Sequence, residues 1–353
     1  MDYGLIGEKL GHSLSKPIHE SLADYTYDIH PLTREEFKVF MEEKPFKTHE
    51  QLVELLASRG VDFSNPDSKS FAKKKLQRIG YYNLINGYSF LFWESDCKDK
   101  YKPGTTVNEI YNLYLFDQKL RETFLHNILP LETNIKSLIA YYFPQMHPET
   151  HYLTYDNFDI TKKDASKNIT GLLSEIQRQI AGRCSDPSIA HYLNNYGYIP
   201  LWVLNNILTL GTISKFYSLM QQKERQEISK TFHLSDKELE NILTYVSSVR
   251  NFCAHGNRLF CYRSKRPLID TSLHVAMQLP KSEKNEYLYG KRDLFAVMIA
   301  LKLTISNREF RRLVKEVDIA LKNLYSYTTV LTQETILSSM GFPQNWKVLL
   351  LKS

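Results

Sequence analysis

At 353 residues with 42% hydrophobic content, the chain is long enough for two or three domains and too apolar to be disordered. No uninterrupted apolar run reaches about 18 residues, which argues against a transmembrane helix, and Met1-Asp2-Tyr3-Gly4 is not the basic, then apolar, start of a signal peptide. The net charge of +6 is uneven: residues 1–46 hold 5 Lys/Arg against 9 Asp/Glu, and the remainder 40 against 30, so a +10 excess suited to polyanions lies in the long second part. Cys97, Cys184, Cys253 and Cys261 show no paired framework, and a reducing cytoplasm is the expected setting.

Residues 1–46 read as β-α-β-α: strands at Tyr3 to Ile6 and Tyr25 to Ile29, a helix from Lys16 to Ala23, and a last helix after Thr33 and Glu36, which have capping-box spacing. From residue 47 the pattern turns helical. His49 to Arg59 is amphipathic and ends at Gly60. Ala72 to Gln77 leads into Ile79-Gly80-Tyr81-Tyr82-Asn83-Leu84-Ile85-Asn86-Gly87-Tyr88. Val107 to Phe143 has apolar residues at helical spacing, and Pro130 should split or kink it. Thr170 to Ile180 is a further helix, and Pro200 opens one expected to run to Met220, with Trp202 in the core. Ser235 and Glu238 cap a helix whose apolar face is Leu239, Ile242, Leu243, Val246 and Val249. Leu294 to Ser306 and Arg308 to Leu324 give two more.

The residues that carry chemistry are Arg250-Asn251-Phe252-Cys253-Ala254-His255. Arginine is a permanently charged fork that fits a phosphate with two hydrogen bonds. Histidine takes and gives a proton near neutral pH. On an unbroken helix, side chains five apart lie about 140° apart around the axis, so the pair converges within one chain only if the helix ends or bends between them. Gly256 is a suitable residue for an ending. An ordinary structural reading stands beside this one, with Arg250 capping carbonyls at a helix end and His255 satisfied locally. Basic clusters at Lys73, Lys74 and Lys75, and at Arg258, Arg263, Lys265 and Arg266, are candidates for RNA binding. Cys253, His255 and Cys261 lack the C-x-x-C pair of a zinc site, and His147-Pro148-Glu149-Thr150-His151 lacks H-E-x-x-H order. No metal and no cofactor are expected.

Two resemblances follow from these motifs. Tyr3 to Gly7 and Gly11 to His19 resemble the extreme N-terminus of shikimate dehydrogenase, which implies that Ser13 and Ser15 occupy substrate-binding positions. The family's catalytic lysine strand does not follow, and no GxGxxG turn is present, so shikimate dehydrogenase activity is not expected. Over residues 47–350 the chain resembles the AbiD/AbiF branch of Abi-like abortive-infection proteins, in Ile79 to Tyr88, in Asp117-x-x-Leu120-Arg121, in Pro200-x-Trp202 with Gly211 and Ser214, and in Met340-Gly341-Phe342-Pro343 with Trp346. The run from Arg250 to His255 resembles the R-x4-6-H signature of HEPN ribonucleases.

These resemblances imply a mainly α protein: a HEPN-type helical bundle over residues 106–353, a helical N-terminal extension over 47–105, and a βαβα appendage over 1–46. They imply a metal-independent endoribonuclease of anti-phage defence, with Arg250, Asn251 and His255 catalytic and Glu132 orienting a catalytic residue. RNA is the expected substrate, a structured non-coding RNA a further partner, and a homodimer the expected assembly, with no membrane partner. The alternatives are a non-catalytic RNA-binding module and an interaction subunit of a toxin–antitoxin pair.

Overall fold

A single 40-residue helix organises the molecule. The computed structural model describes residues 45–94, 97–147 and 150–352, and the expected βαβα appendage lies outside them. Residues Thr48–Ser353 form one compact unit. It is mainly α: α1 (His49–Ser58), α2 (Ser68–Ile79), the hairpin of β1 (Trp93–Glu94) and β2 (Cys97–Tyr101), α3 (Val107–Met146), α4 (Ala165–Ala181), α5 (Pro187–Tyr196), α6 (Leu201–Leu204), α7 (Leu210–Leu219), α8 (Gln222–Lys230), α9 (Asp236–Ala254), α10 (Ser272–Ala276), α11 (Leu294–Lys302), α12 (Asn307–Tyr325), α13 (Gln333–Met340) and α14 (Trp346–Lys352). The hairpin is antiparallel, with Trp93 opposite Tyr101 and Glu94 opposite Cys97.

Helix α3 spans about 60 Å at 1.5 Å per residue. Thr106 caps its start by accepting from the Glu109 amide at 3.2 Å. Its buried spine recurs every three or four residues through Phe116, Leu120, Phe124, Ile128, Leu131, Ile135, Ile139 and Phe143. Against it pack α2, α6, α7, α8, α9 and α12. Helix α11 is buried at every position from Leu294 to Leu301 and forms a second core layer against α9 and α12.

Three expectations change. Of the two outcomes expected at Pro130, the split does not occur: α3 runs through it as one helix. The proline sits beside exposed His126 and 51%-exposed Leu129, so the carbonyl it deprives of a helical donor lies on the outer side, while the spine stays packed. The segment after Pro200 breaks into α6 and α7, because Thr209 acts as a new N-cap and accepts from the Thr212 amide at 3.2 Å. Trp202 is 48% exposed: in the short helix α6, Leu201, Val203 and Leu204 take the core positions and leave the indole outside.

Candidate functional site at the end of helix α9

Helix α9 forms where the sequence places it. Ser235 Oγ accepts from the Glu238 amide at 3.2 Å, and Glu238 Oε2 accepts from the Ser235 amide at 2.8 Å, a complete capping box. Leu239, Ile242, Leu243, Val246 and Val249 are all buried. The helix ends after Ala254 in a Schellman motif: the Gly256 amide donates to Cys253 O at 3.0 Å and the Asn257 amide to Phe252 O at 3.2 Å. That turn needs the left-handed conformation of Gly256, at φ 71°.

The helix stays regular between Arg250 and His255. His255 is its C-cap, and its amide still donates to Asn251 O at 3.1 Å. The helix end expected between the two residues falls after Ala254, and no bend precedes it. The turn comes one residue later because the hydrogen-bond ladder is unbroken through Asn251. Within one chain, Arg250 and His255 leave the axis about 140° apart, whereas Asn251 and His255, four apart, share a face.

Each residue has a distinct environment. His255 and Asn251 are exposed, and neither side chain makes a hydrogen bond among the described residues. Arg250 faces α3, its side chain 32% exposed, with Nε 3.8 Å from Glu132 Oε2. Glu132 is buried and its Oε1 accepts from Lys136 Nζ at 2.8 Å, while Oε2 has no hydrogen-bond partner. Lys136 O accepts from Asn205 Nδ2 at 2.7 Å, which ties this part of α3 to the end of α6. Gly211 in α7 abuts the site: a Cβ there would lie 3.9 Å from Asn251 Nδ2.

The loop leaving α9 is locked by a buried polar network. Asp117 is fully buried. Its Oδ1 accepts from the Phe260 amide at 2.7 Å, and its Oδ2 accepts from Tyr88 Oη at 2.8 Å and from Arg121. Arg121 also donates to Asn257 O at 3.3 Å. Burial works against the Arg121 charge, but the Asp117 carboxylate together with the Tyr88 and Tyr114 hydroxyls more than offsets it and raises the guanidinium's pKa. Tyr88 stacks on Phe260 with ring centroids 5.9 Å apart. Three motifs far apart in sequence thus meet under one turn. Burial pushes the Cys253 thiol up to about 12, as suits an inert core cysteine.

The candidate RNA-binding cations separate into three groups. Arg258 is exposed and donates to Gly87 O at 2.8 Å. On α2, Lys73 pairs with Glu50, Lys75 sits 4.0 Å from the Tyr111 ring centroid, and Lys74 is exposed. Arg263, Lys265 and Arg266 line an open groove beside α9 with Lys162 and Lys237, two cations that the sequence reading missed.

The fold and site define a mainly helical protein whose dispersed motifs converge on one helix terminus. A sequence model of the Abi-like protein family matches residues 74–261, just over half the chain, and the chain belongs to that family. No curated protein and no solved structure matches it. No described helix is long and apolar enough to cross a membrane.

Proposed function

We propose that the chain is a metal-independent HEPN-type endoribonuclease acting in abortive-infection defence against phage. Membership of the Abi-like family supports the defence role. The observation that carries the chemistry is the end of α9, where Asn251 and His255 stand exposed on one face and Arg250 is held beside a buried carboxylate. An exposed imidazole without a local partner is free to move protons. A guanidinium within 4 Å of an under-satisfied carboxylate is pre-oriented for a phosphate.

In the reaction, the ribose 2′-oxygen attacks the adjacent phosphorus as its proton passes to His255. The bond to the 5′-oxygen breaks, and that oxygen takes a proton from a second acid. The products are a 2′,3′-cyclic phosphate and a 5′-hydroxyl. Arg250 stabilises the charge that develops on the phosphoryl oxygens, Asn251 orients the histidine or the RNA, and Glu132 positions Arg250. Because one chain sends Arg250 and His255 to different sides of α9, the reading requires a two-fold dimer in which two copies surround one phosphate.

The test is cleavage of RNA by pure protein in EDTA, with end-group analysis. Cyclic-phosphate termini from the wild type and none from Arg250→Ala or His255→Ala support the proposal. Salt-sensitive RNA binding without cutting would favour a non-catalytic module, for example one that holds a structured non-coding RNA. Absence of RNA binding would favour a toxin–antitoxin interaction subunit.

A further inference from the structure

One long face of α9 borders a groove of about 820 Å³ that ends at Phe252, one turn before His255. Helix residues Lys237, Asn241, Thr244, Ser248 and Phe252 form one wall. At three- and four-residue spacing they share a face, and the next position on that face is His255. The other wall is the segment from Tyr262 to Pro267, and Lys162 closes one side. Lys237 to Phe252 spans about 22 Å at the helical rise.

The charge of the groove is one-sided. Its single carboxylate among the described residues, Glu240, is neutralised by Lys162 at 3.1 Å. Lys237, Lys265 and Arg266 are exposed and have no carboxylate partner among the described residues. The cations are also held in place by their backbone. The Ser264 amide donates to Arg292 O at 2.6 Å and the Leu268 amide to Lys291 O at 2.7 Å. Arg292 in turn donates to the carbonyls of Ser264 and Lys265. Asn241 fastens the segment to α9: its Nδ2 donates to Pro267 O at 3.3 Å, and its Oδ1 accepts from the Ile269 amide at 2.9 Å. Arg263 reaches across to Ser339 O at 3.0 Å. A segment whose backbone is clamped on both flanks starts its cationic side chains from fixed positions, which lowers the ordering cost of binding a polyanion.

The geometry points to this groove as the seat of a single-stranded polynucleotide, gripped through its phosphates and led along α9 to His255. Cations tracking the backbone beside an aromatic floor, here Phe252 against Tyr262 at 4.9 Å, are the chemistry that binds single strands without sequence preference. That the strand is RNA, and that it is the substrate, rests on the ribonuclease reading. The groove itself does not.

The test uses full-length protein carrying His255→Ala, so that RNA stays intact, and follows fluorescence anisotropy of a labelled single-stranded RNA of about twelve nucleotides. Lys265→Glu with Arg266→Glu should weaken binding at least about tenfold at ~0.1 M salt and flatten the salt dependence by ~0.7 for each phosphate no longer neutralised. Lys237→Glu, on the opposite wall, should act in the same direction and serves if the double variant folds poorly. Lys223→Glu on α8, exposed and outside the groove lining, should change little. Affinity within about twofold of the parent in both groove variants, or an equal loss in Lys223→Glu, overturns the proposal. Groove-dependent binding by a wild-type protein that never cuts RNA keeps the groove and sinks the nuclease. Cleavage that survives both charge reversals does the opposite.

Discussion

The two sides of helix α9 treat polar residues in opposite ways. Toward α3 and the loop that follows it, charge is matched: the buried Asp117 accepts from a tyrosine, an arginine and a backbone amide, and the exposed Arg258 is held on a carbonyl. Toward the groove, Lys237, Asn251, His255, Lys265 and Arg266 are exposed. Residues alike in sequence thus divide into those that hold the turn after His255 and those left open for a ligand. Arg250 stands between the sides, with one nitrogen near a buried carboxylate and a third of its side chain in solvent.

The buried side offers the largest effect. Asp117→Ala strands the Arg121 guanidinium and the Phe260 amide, and should cost about 3–5 kcal/mol in chemical denaturation. A loss under about 1 kcal/mol would remove the distinction between the two sides. Glu132→Gln should cost about 1–2 kcal/mol, since the amide can still accept from Lys136, and should lower any RNA cleavage further than that loss accounts for. Unchanged cleavage would place Glu132 outside the site. Arg258→Ala should cost about 1 kcal/mol through its missing bond to Gly87 and leave RNA affinity little altered. A large drop in affinity without destabilisation would move Arg258 to the open side.

A smaller effect probes a second buried pair, His147 Nε2 with Glu224 Oε1 at 2.6 Å. Burial pushes the Glu224 carboxyl up from 4.5 to about 7 and moves the His147 imidazole down. Glu224 binds its proton more tightly folded than unfolded, so its contribution is fully present below pH 4.5 and is lost as pH rises through about 7. The melting temperature of the wild type relative to Glu224→Gln should therefore be higher by a few degrees at pH 5 than at pH 8. A pH-independent difference would contradict the raised carboxyl.

Much of α9 was legible in the sequence. The capping box, the apolar face and the terminal glycine each follow from local rules, and all three hold at Ser235, at Leu239 to Val249 and at Gly256. What failed was decided at a distance. Pro130 does not interrupt α3 because packing along its spine outweighs one missing hydrogen bond. The break at Thr209 depends on a side-chain cap that competes with a continuing helix, and Trp202 lies outside because its neighbours fill the core first. The site was only half legible. Arg250, Asn251 and His255 were visible as a motif, but their division between two faces required knowing that the helix stays regular to Ala254. Lys162 reaches the groove from about 75 residues before Lys237, and no spacing rule joins them. The same holds for Tyr88 and Asp117 beneath Phe260, which only folding brings together.

The proposed ribonuclease stands or falls on the open imidazole at the end of α9. The most direct measurement compares wild type with His255→Ala for the rate of 2′,3′-cyclic phosphate formation on RNA in EDTA, at equal stability. The variant should lose about a hundred- to ten-thousand-fold in rate, with the melting temperature unmoved because His255 is exposed. Equal rates for the two proteins, or no cyclic phosphate from the wild type, would contradict it.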